Sequence, residues 1–219
     1  MNIWYAIPSA NPGRCSASFK AWKQRGYMCC CLLDKPDHEV PEADLVVRVQ
    51  PYPGYFTSVN RMAQRLVREH AADIVVTGGD DMWPDPNHTA EEIGQQFMEK
   101  FPDGYGVMQP TGDDLDGTDR ICGSPWMGRR WALEGYGGLG CFWPEYKAFY
   151  GDEELRHVSE ALGVLWQRPD LVQHHDHWTR GGVQKMTPYQ RKNEAVYFEP
   201  DGAIYKARKA AGWGGIVFR

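Results

Sequence analysis

The run Ala72-Asp73-Ile74-Val75-Val76-Thr77-Gly78-Gly79-Asp80-Asp81-Met82 constrains the fold more than any other stretch of the chain. Its apolar centre is continuous and β-branched rather than alternating. That is the pattern of a short strand covered on both faces, as in a mostly parallel sheet flanked by helices. Gly78 and Gly79 then break the strand, which leaves the carboxylates of Asp80 and Asp81 on the rim. Two like charges side by side repel, and a cation, a hydrogen-bond donor or solvent must offset the cost. A strand that delivers an acidic pair to its C-terminal end can present a divalent cation to a phosphorylated ligand. A solvated turn uses the same residue types, since Asp and Gly both favour turns.

The rest of the chain alternates strand and helix around this run. A first strand over 2–8 leads through the turn Asn11-Pro12-Gly13 into a helix that carries Phe19 and Trp22 on one side and ends at Gly26. A second strand over 27–33 closes at Asp34, and a third, short one covers 45–49. Thr57 or Ser58 is placed to cap a helix whose Val59, Met62, Leu66 and Val67 share a face. Thr89 and Glu92 form a capping-box pattern before a helix over 90–100. Residues 105–109 read as another strand, 111–120 as a mobile polar surface loop, and 132–143 as a segment rich in Gly and aromatics. Asp152 directly precedes a helix with Leu155, Val158, Leu162 and Leu165 on one face, where it would serve as N-cap. The expected fold class is α/β, a single Rossmann-like domain with a mostly parallel central sheet flanked by helices. Its ligand cleft would lie beyond the carboxyl ends of the strands, where Asp34 and the Asp80/Asp81 pair meet.

A chain of 219 residues is long enough for one such domain with a sizeable core. No apolar stretch approaches the roughly 20 residues that span a bilayer. The N-terminus carries no basic segment followed by an apolar signal core. The expected location is the cytoplasm of the cell that makes the protein, host cytoplasm for a virus-encoded chain. The six Cys contain no CxxC spacing, and Cys29, Cys30 and Cys31 are consecutive in a strand. They point to alternate faces, so reduced, buried thiols are expected rather than bridges. The formal charge of −5 conceals an asymmetry, because residues 178–219 hold eight Lys or Arg against three acidic residues. A basic tail on an acidic body suits contact with phosphate, in a nucleotide or a larger polyanion, and equally a solvated basic face.

In order and spacing, these features resemble the glycosyltransferases of the GT-A fold, most closely the small inverting enzymes of family 2. The resemblance is carried by Ile7-Pro8-Ser9-Ala10-Asn11, the strand ending at Asp34, Ser58-Val59-Asn60-Arg61 and Gly79-Asp80-Asp81. It continues through Gly138-Leu139-Gly140-Cys141-Phe142-Trp143, Gly151-Asp152-Glu153-Glu154-Leu155 and His174-His175-Asp176-His177, and covers residues 2 to 180. The family's Asp-x-Asp motif departs here, with Gly79 in its first position.

The resemblance implies a GT-A-like catalytic domain over 1–177, with a nucleotide-sugar half over 1–88 and an acceptor half over 89–177. The basic segment 178–219 would then act as a lid. It implies a nucleotide-diphosphate sugar donor, UDP-linked in the first instance, and Mn²⁺ or Mg²⁺. Pro8, Asn11, Asp34, Asn60 and Arg180 would contact the donor, Asp80 the donor ribose, and Asp81 the cation. One of His175 and His177, which share a face of an extended segment, would be a further ligand. Asp152 occupies the position of the family's base. The cation offsets the charge growing on the departing diphosphate, and the base takes a proton from the acceptor hydroxyl. The acceptor would be a glycan or a nucleic acid, such as hydroxymethylated DNA bases. Trp126, Trp143 and Trp178 are candidates for stacking on sugar or base, or for core packing. A hydrogen-bonded surface cluster is an equal reading of the histidines. A non-catalytic nucleotide-sugar or nucleic-acid binding module and a sugar nucleotidyltransferase are the alternative functions, and the oligomeric state is open.

Overall fold

The computed structural model describes residues 1–180 and 186–214. Its strands and helices alternate as β1 (Ile3–Pro8), α1 (Pro12–Gln24), β2 (Met28–Leu33), β3 (Leu45–Arg48), α2 (Tyr55–Glu69) and β4 (Ile74–Val76). There follow β5 (Met82–Trp83), α3 (Ala90–Lys100), β6 (Val107–Pro110), β7 (Trp126–Gly128), α4 (Arg129–Gly138), α5 (Gly151–Ala161), β8 (Leu165–Arg168), β9 (His174–His175) and α6 (Pro188–Ala210). The main sheet runs β3-β2-β1-β4-β7-β6-β8, and β7 alone is antiparallel to its neighbours. The expected α/β class and mostly parallel sheet are therefore present.

Alternation along β1 and β2 divides the core between the two faces of the sheet. Trp4, Ala6, Cys30 and Leu32 pack towards α2, α4 and α5, while Ile3, Tyr5, Ile7, Cys29, Cys31 and Leu33 pack towards α1 and α3. Ile74, Val75 and Val76 are fully buried and split between the same two layers, as a doubly covered strand requires. All six cysteines are buried and unbridged. Among the described residues no helix is long and apolar enough to cross a membrane.

Several boundaries differ from the sequence expectations. Thr57 and Ser58 lie inside α2, which begins at Tyr55 behind Gly54, and the Ser58 hydroxyl bonds back to the Gly54 carbonyl at 2.7 Å. Leu165 belongs to β8, not to α5, because the chain leaves the helix through Gly163 at φ +69°. The capping box at Thr89 and Glu92 is formed, with both reciprocal bonds present.

A second capping box, of Thr187 and Gln190, opens α6. Pro200 lies inside this helix, which is largely exposed before it and anchored after it. Asp201 is buried and accepts hydrogen bonds from the backbone N–H groups of Lys147, Ala148 and Phe149. Arg208 pairs with the fully buried Glu154 and covers the Trp143 ring at 3.4 Å.

Candidate active site

The loops after β1, β2 and β4 form one side of a cleft of about 850 Å³, and the first turns of α6 form the other. Beyond β4, Thr77, Gly78 and Gly79 carry the chain to the acidic pair along a path held by two phenols. The Tyr5 hydroxyl donates to the Gly79 carbonyl at 2.6 Å, and the Tyr55 hydroxyl to the Gly78 carbonyl at 2.9 Å. Both glycines are fixed by space as well as by turn chemistry. A Cβ on Gly78 would meet the Met82 sulfur, and a Cβ on Gly79 would enter the volume of the Asp81 carboxylate. A side chain at position 79 would require the Asp81 carboxylate to move, so the departure from Asp-x-Asp goes with the present placement of Asp81.

The two carboxylates differ in partners. Asp80 accepts from the Ser9 hydroxyl at 2.5 Å and pairs with Arg14. Asp81 turns Oδ1 to His175 Nε2 at 3.4 Å and Oδ2 to Arg14 at 3.8 Å. Burial pushes both carboxyls up. For Asp80 burial prevails over Ser9 and Arg14, and its pKa is raised. For Asp81 the His175 hydrogen bond and charge, with Arg14, outweigh burial, and its pKa falls below the ordinary carboxylate value. Asp81 is thus the member held firmly as an anion.

A two-stranded antiparallel ladder puts His175 there. Met82 of β5 pairs with His175 of β9, and Asp176 N–H donates to the Asp81 carbonyl at 2.8 Å. The His175 and His177 rings lie 4.9 Å apart. His174 points elsewhere, 3.1 Å from Asp176 and 3.4 Å from Asp113, so the expected division of the cluster by face is observed. Burial, and then the charge of His175, hold the His177 imidazole below its ordinary pKa. Asp81 Oδ1 and His175 Nε2 are near enough to share a cation of the Mn²⁺ or Mg²⁺ kind, whereas neither His175 nor His177 is among the cleft-lining residues and the His177 Nδ1 is 2.7 Å from the Thr179 hydroxyl.

A second acidic group sits outside the cleft. Ligand atoms of Asp113, Asp114 and His174 all lie within 4.8 Å of one another, but Arg180 pairs with both carboxylates and donates from Nε to the His175 carbonyl at 2.6 Å. Arg180 is therefore engaged there and is not among the cleft-lining residues, unlike its expected place on the donor. Asp113 is buried and accepts the His175 N–H at 3.1 Å. This corrects the reading of 111–120 as simply a polar surface loop.

Pro8, Asn11, Asp34, Asp80 and Asp81 all line the cleft, as expected. Asn11 also caps α1 by accepting the Arg14 N–H at 3.1 Å. Asn60 is a correction. It is buried in α2, and its amide exchanges two hydrogen bonds, of 2.8 and 2.9 Å, with the Phe142 backbone, which leaves the side chain away from the cleft. Asp152 is not the N-cap of α5. Tyr150 holds that place in the left-handed region, and Asp152 is the second helical residue. Its carboxylate accepts the Glu153 N–H at 3.0 Å, and burial followed by the Glu153 charge pushes its pKa up to about 6. Asp152 is not among the residues that line the cleft, though its charge reaches Tyr55, which does. Trp126 is fully buried with its N–H on Gln173, a core role, whereas Trp178 is exposed beside His177. Gly181 and Gly182, in the segment expected to act as a lid, lie outside the described residues.

Ser9, Arg14, Tyr55 and the α6 wall, which includes Tyr189 and Lys192, were missed by sequence reasoning. The wall had a signal in Thr187-Pro188-Tyr189-Gln190, a capping box with Pro at the first helical position.

No family model matches the sequence, and no curated protein sequence matches it. Among solved structures, the chain matches a Drosophila β-1,4-galactosyltransferase 7 point mutant in complex with manganese, UDP-Gal and xylobiose. The TM-score is 0.50 at 11% identity, over 88% of this chain and 79% of that one. The chain has a GT-A-like fold. Another match is A197 from STIV, at 13% identity over 84% of this chain and all of that one; its TM-score of 0.44 is too low to carry weight. In a GT-A-like fold the cleft at the ends of β1, β2 and β4 is where a ligand beyond the carboxyl edge of the sheet belongs.

Proposed function

We propose that the chain is a metal-dependent inverting glycosyltransferase. It moves a sugar from a nucleotide-diphosphate donor, UDP-linked in the first instance, to an acceptor hydroxyl on a glycan or on modified DNA. The observation that carries the reading is Asp81, held anionic at the rim of the cleft with one oxygen facing His175. The galactosyltransferase of like fold is described with manganese and UDP-Gal, which favours Mn²⁺ and a UDP-sugar here.

Asp81 and His175, with His177 beside them, would hold the cation, which when bound supplies positive charge against the diphosphate as it leaves. Asp80 has its position set by Ser9 and Arg14 and would take the donor ribose. Pro8, Asn11 and Asp34 line the nucleotide side. Asp152 would take the acceptor proton. A carboxyl with a pKa of about 6 is ionised at neutral pH and still basic enough to accept a proton. Residues 1–177 would form the catalytic domain. The segment 178–219 would close over the donor, with α6 already forming one wall of the cleft.

The absence of Asp152 from the cleft lining favours a second reading, a nucleotide-sugar binding module without turnover. Incubation with a panel of nucleotide sugars, Mn²⁺ and glycan or hydroxymethylated-DNA acceptors, reading free nucleoside diphosphate, separates the two. Turnover that Asp81→Ala abolishes and Asp152→Asn lowers by about 100-fold or more, with binding retained in the latter, supports the transferase. Binding without turnover in the unaltered chain would contradict it.

A further inference from the structure

The cleft carries its own cation beside the acidic pair. Arg14, in the first turn of α1, pairs through one guanidinium nitrogen with Asp80 and lies 3.8 Å through the other from Asp81 Oδ2. Asp81 Oδ1 faces the opposite way, towards His175. Arg14 therefore sits against the side of Asp81 away from His175 and does not occupy the corner between Asp81 Oδ1 and His175. Asp80 cannot turn into that corner without giving up both Ser9 and Arg14. Among the described residues, Arg14 offsets one of the two negative charges of the Asp80/Asp81 pair, while behind His175 Arg180 is itself paired with Asp113 and Asp114. A dication placed at the corner therefore meets a pair already half neutralised and the field of a nearby guanidinium. A nucleoside diphosphate brings the missing negative charge into the cleft that Arg14 lines.

We propose that Arg14 sets the order of binding at this site: it keeps the Asp81–His175 corner weak for a bare divalent cation and makes cation binding depend on a nucleoside diphosphate. The inference rests on the donor-site reading above. Like charges at these separations, in a partly buried site, interact strongly enough to change an affinity by about tenfold or more. The dependence is reciprocal, so the cation must strengthen nucleotide binding by the same factor that the nucleotide strengthens cation binding.

Titration calorimetry with Mn²⁺ alone, UDP alone and the two together, on the unaltered chain and on Arg14→Met and Arg14→Lys, tests this. Arg14→Met should bind Mn²⁺ alone about tenfold tighter and UDP in saturating Mn²⁺ about tenfold weaker. Arg14→Lys keeps the charge and should stay close to the unaltered chain for Mn²⁺ alone. Arg14→Gln gives the same neutralisation with a polar head if the Met variant does not fold, with thermal unfolding as the control. Mn²⁺ binding that is unchanged or weaker in the neutral variants, while the unaltered chain binds Mn²⁺ and UDP together, overturns this inference and leaves the donor site standing. An unaltered chain that binds neither ligand removes the donor-site reading, and this inference with it.

Discussion

Asp152 and Gly79 test the account at the scale of single residues. Asp152 has its pKa raised to about 6, above the unfolded value of about 3.9. Its contribution to stability is therefore fully present below about pH 4 and lost as pH rises through about 6. Asp152→Asn, which cannot ionise, should gain stability over the unaltered chain as pH rises through 6, by at most about 3 kcal/mol at neutral pH. As a base the same carboxyl must be ionised, so turnover should fall below pH 6 and that limb should vanish in the variant. Denaturant midpoints and rates from pH 4 to 8 check both. Gly79→Asp would restore the family's first acidic position, yet it should weaken UDP–Mn²⁺ binding, because the new Cβ enters the space of the Asp81 carboxylate. A gain in affinity would contradict this.

The residues of the acidic pair were legible because a β-branched run broken by Gly-Gly leaves little choice of where they lie. Ser9 and Arg14 were not, because their meaning depends on a contact across about 70 positions in sequence. Asn60 was placed on the donor by the resemblance alone, whereas its amide is used by the Phe142 backbone, a partner 82 positions away.

Helices with chemical stop and start signals were legible as elements. The box at Thr89 and Glu92 was read from side chains that bond locally, and the end at Gly26 from a residue that takes a positive φ without a Cβ clash, so no tertiary information was needed. The strands β5, β7 and β9 are two or three residues long, too short for periodicity to show, and pairing partners alone define them. The segment of α6 was read as a basic tail and lid but not as a helix, since its anchors lie far away in sequence. Arg208 donates to both oxygens of Glu154, and Oε2 also accepts from the Tyr146 hydroxyl at 2.6 Å. Arg208→Met should cost about 3–5 kcal/mol, because it strands a buried carboxylate. Glu154→Gln combined with Arg208→Met should recover most of that loss. Thermal or urea unfolding of the single and double variants reads the cycle, and additive losses would contradict the pairing.

Across the whole molecule, each of two acidic pairs has an arginine on it: Arg14 on Asp80 and Asp81, and Arg180 on Asp113 and Asp114. The ladder of β5 and β9 lies between them, with Met82 adjoining the first pair and His175 hydrogen-bonded to the second. The central claim is that the first pair, with His175, holds a metal–nucleotide complex. Melting temperature, measured with UDP, with Mn²⁺ and with both, on the unaltered chain and Asp81→Ala, tests it most directly. A ligand at a hundred times its Kd should raise the melting temperature by about 5–10 °C. The rise should need both components in the unaltered chain and be absent in the variant. No rise with UDP or any other nucleoside diphosphate, or the same rise in Asp81→Ala, would contradict the account.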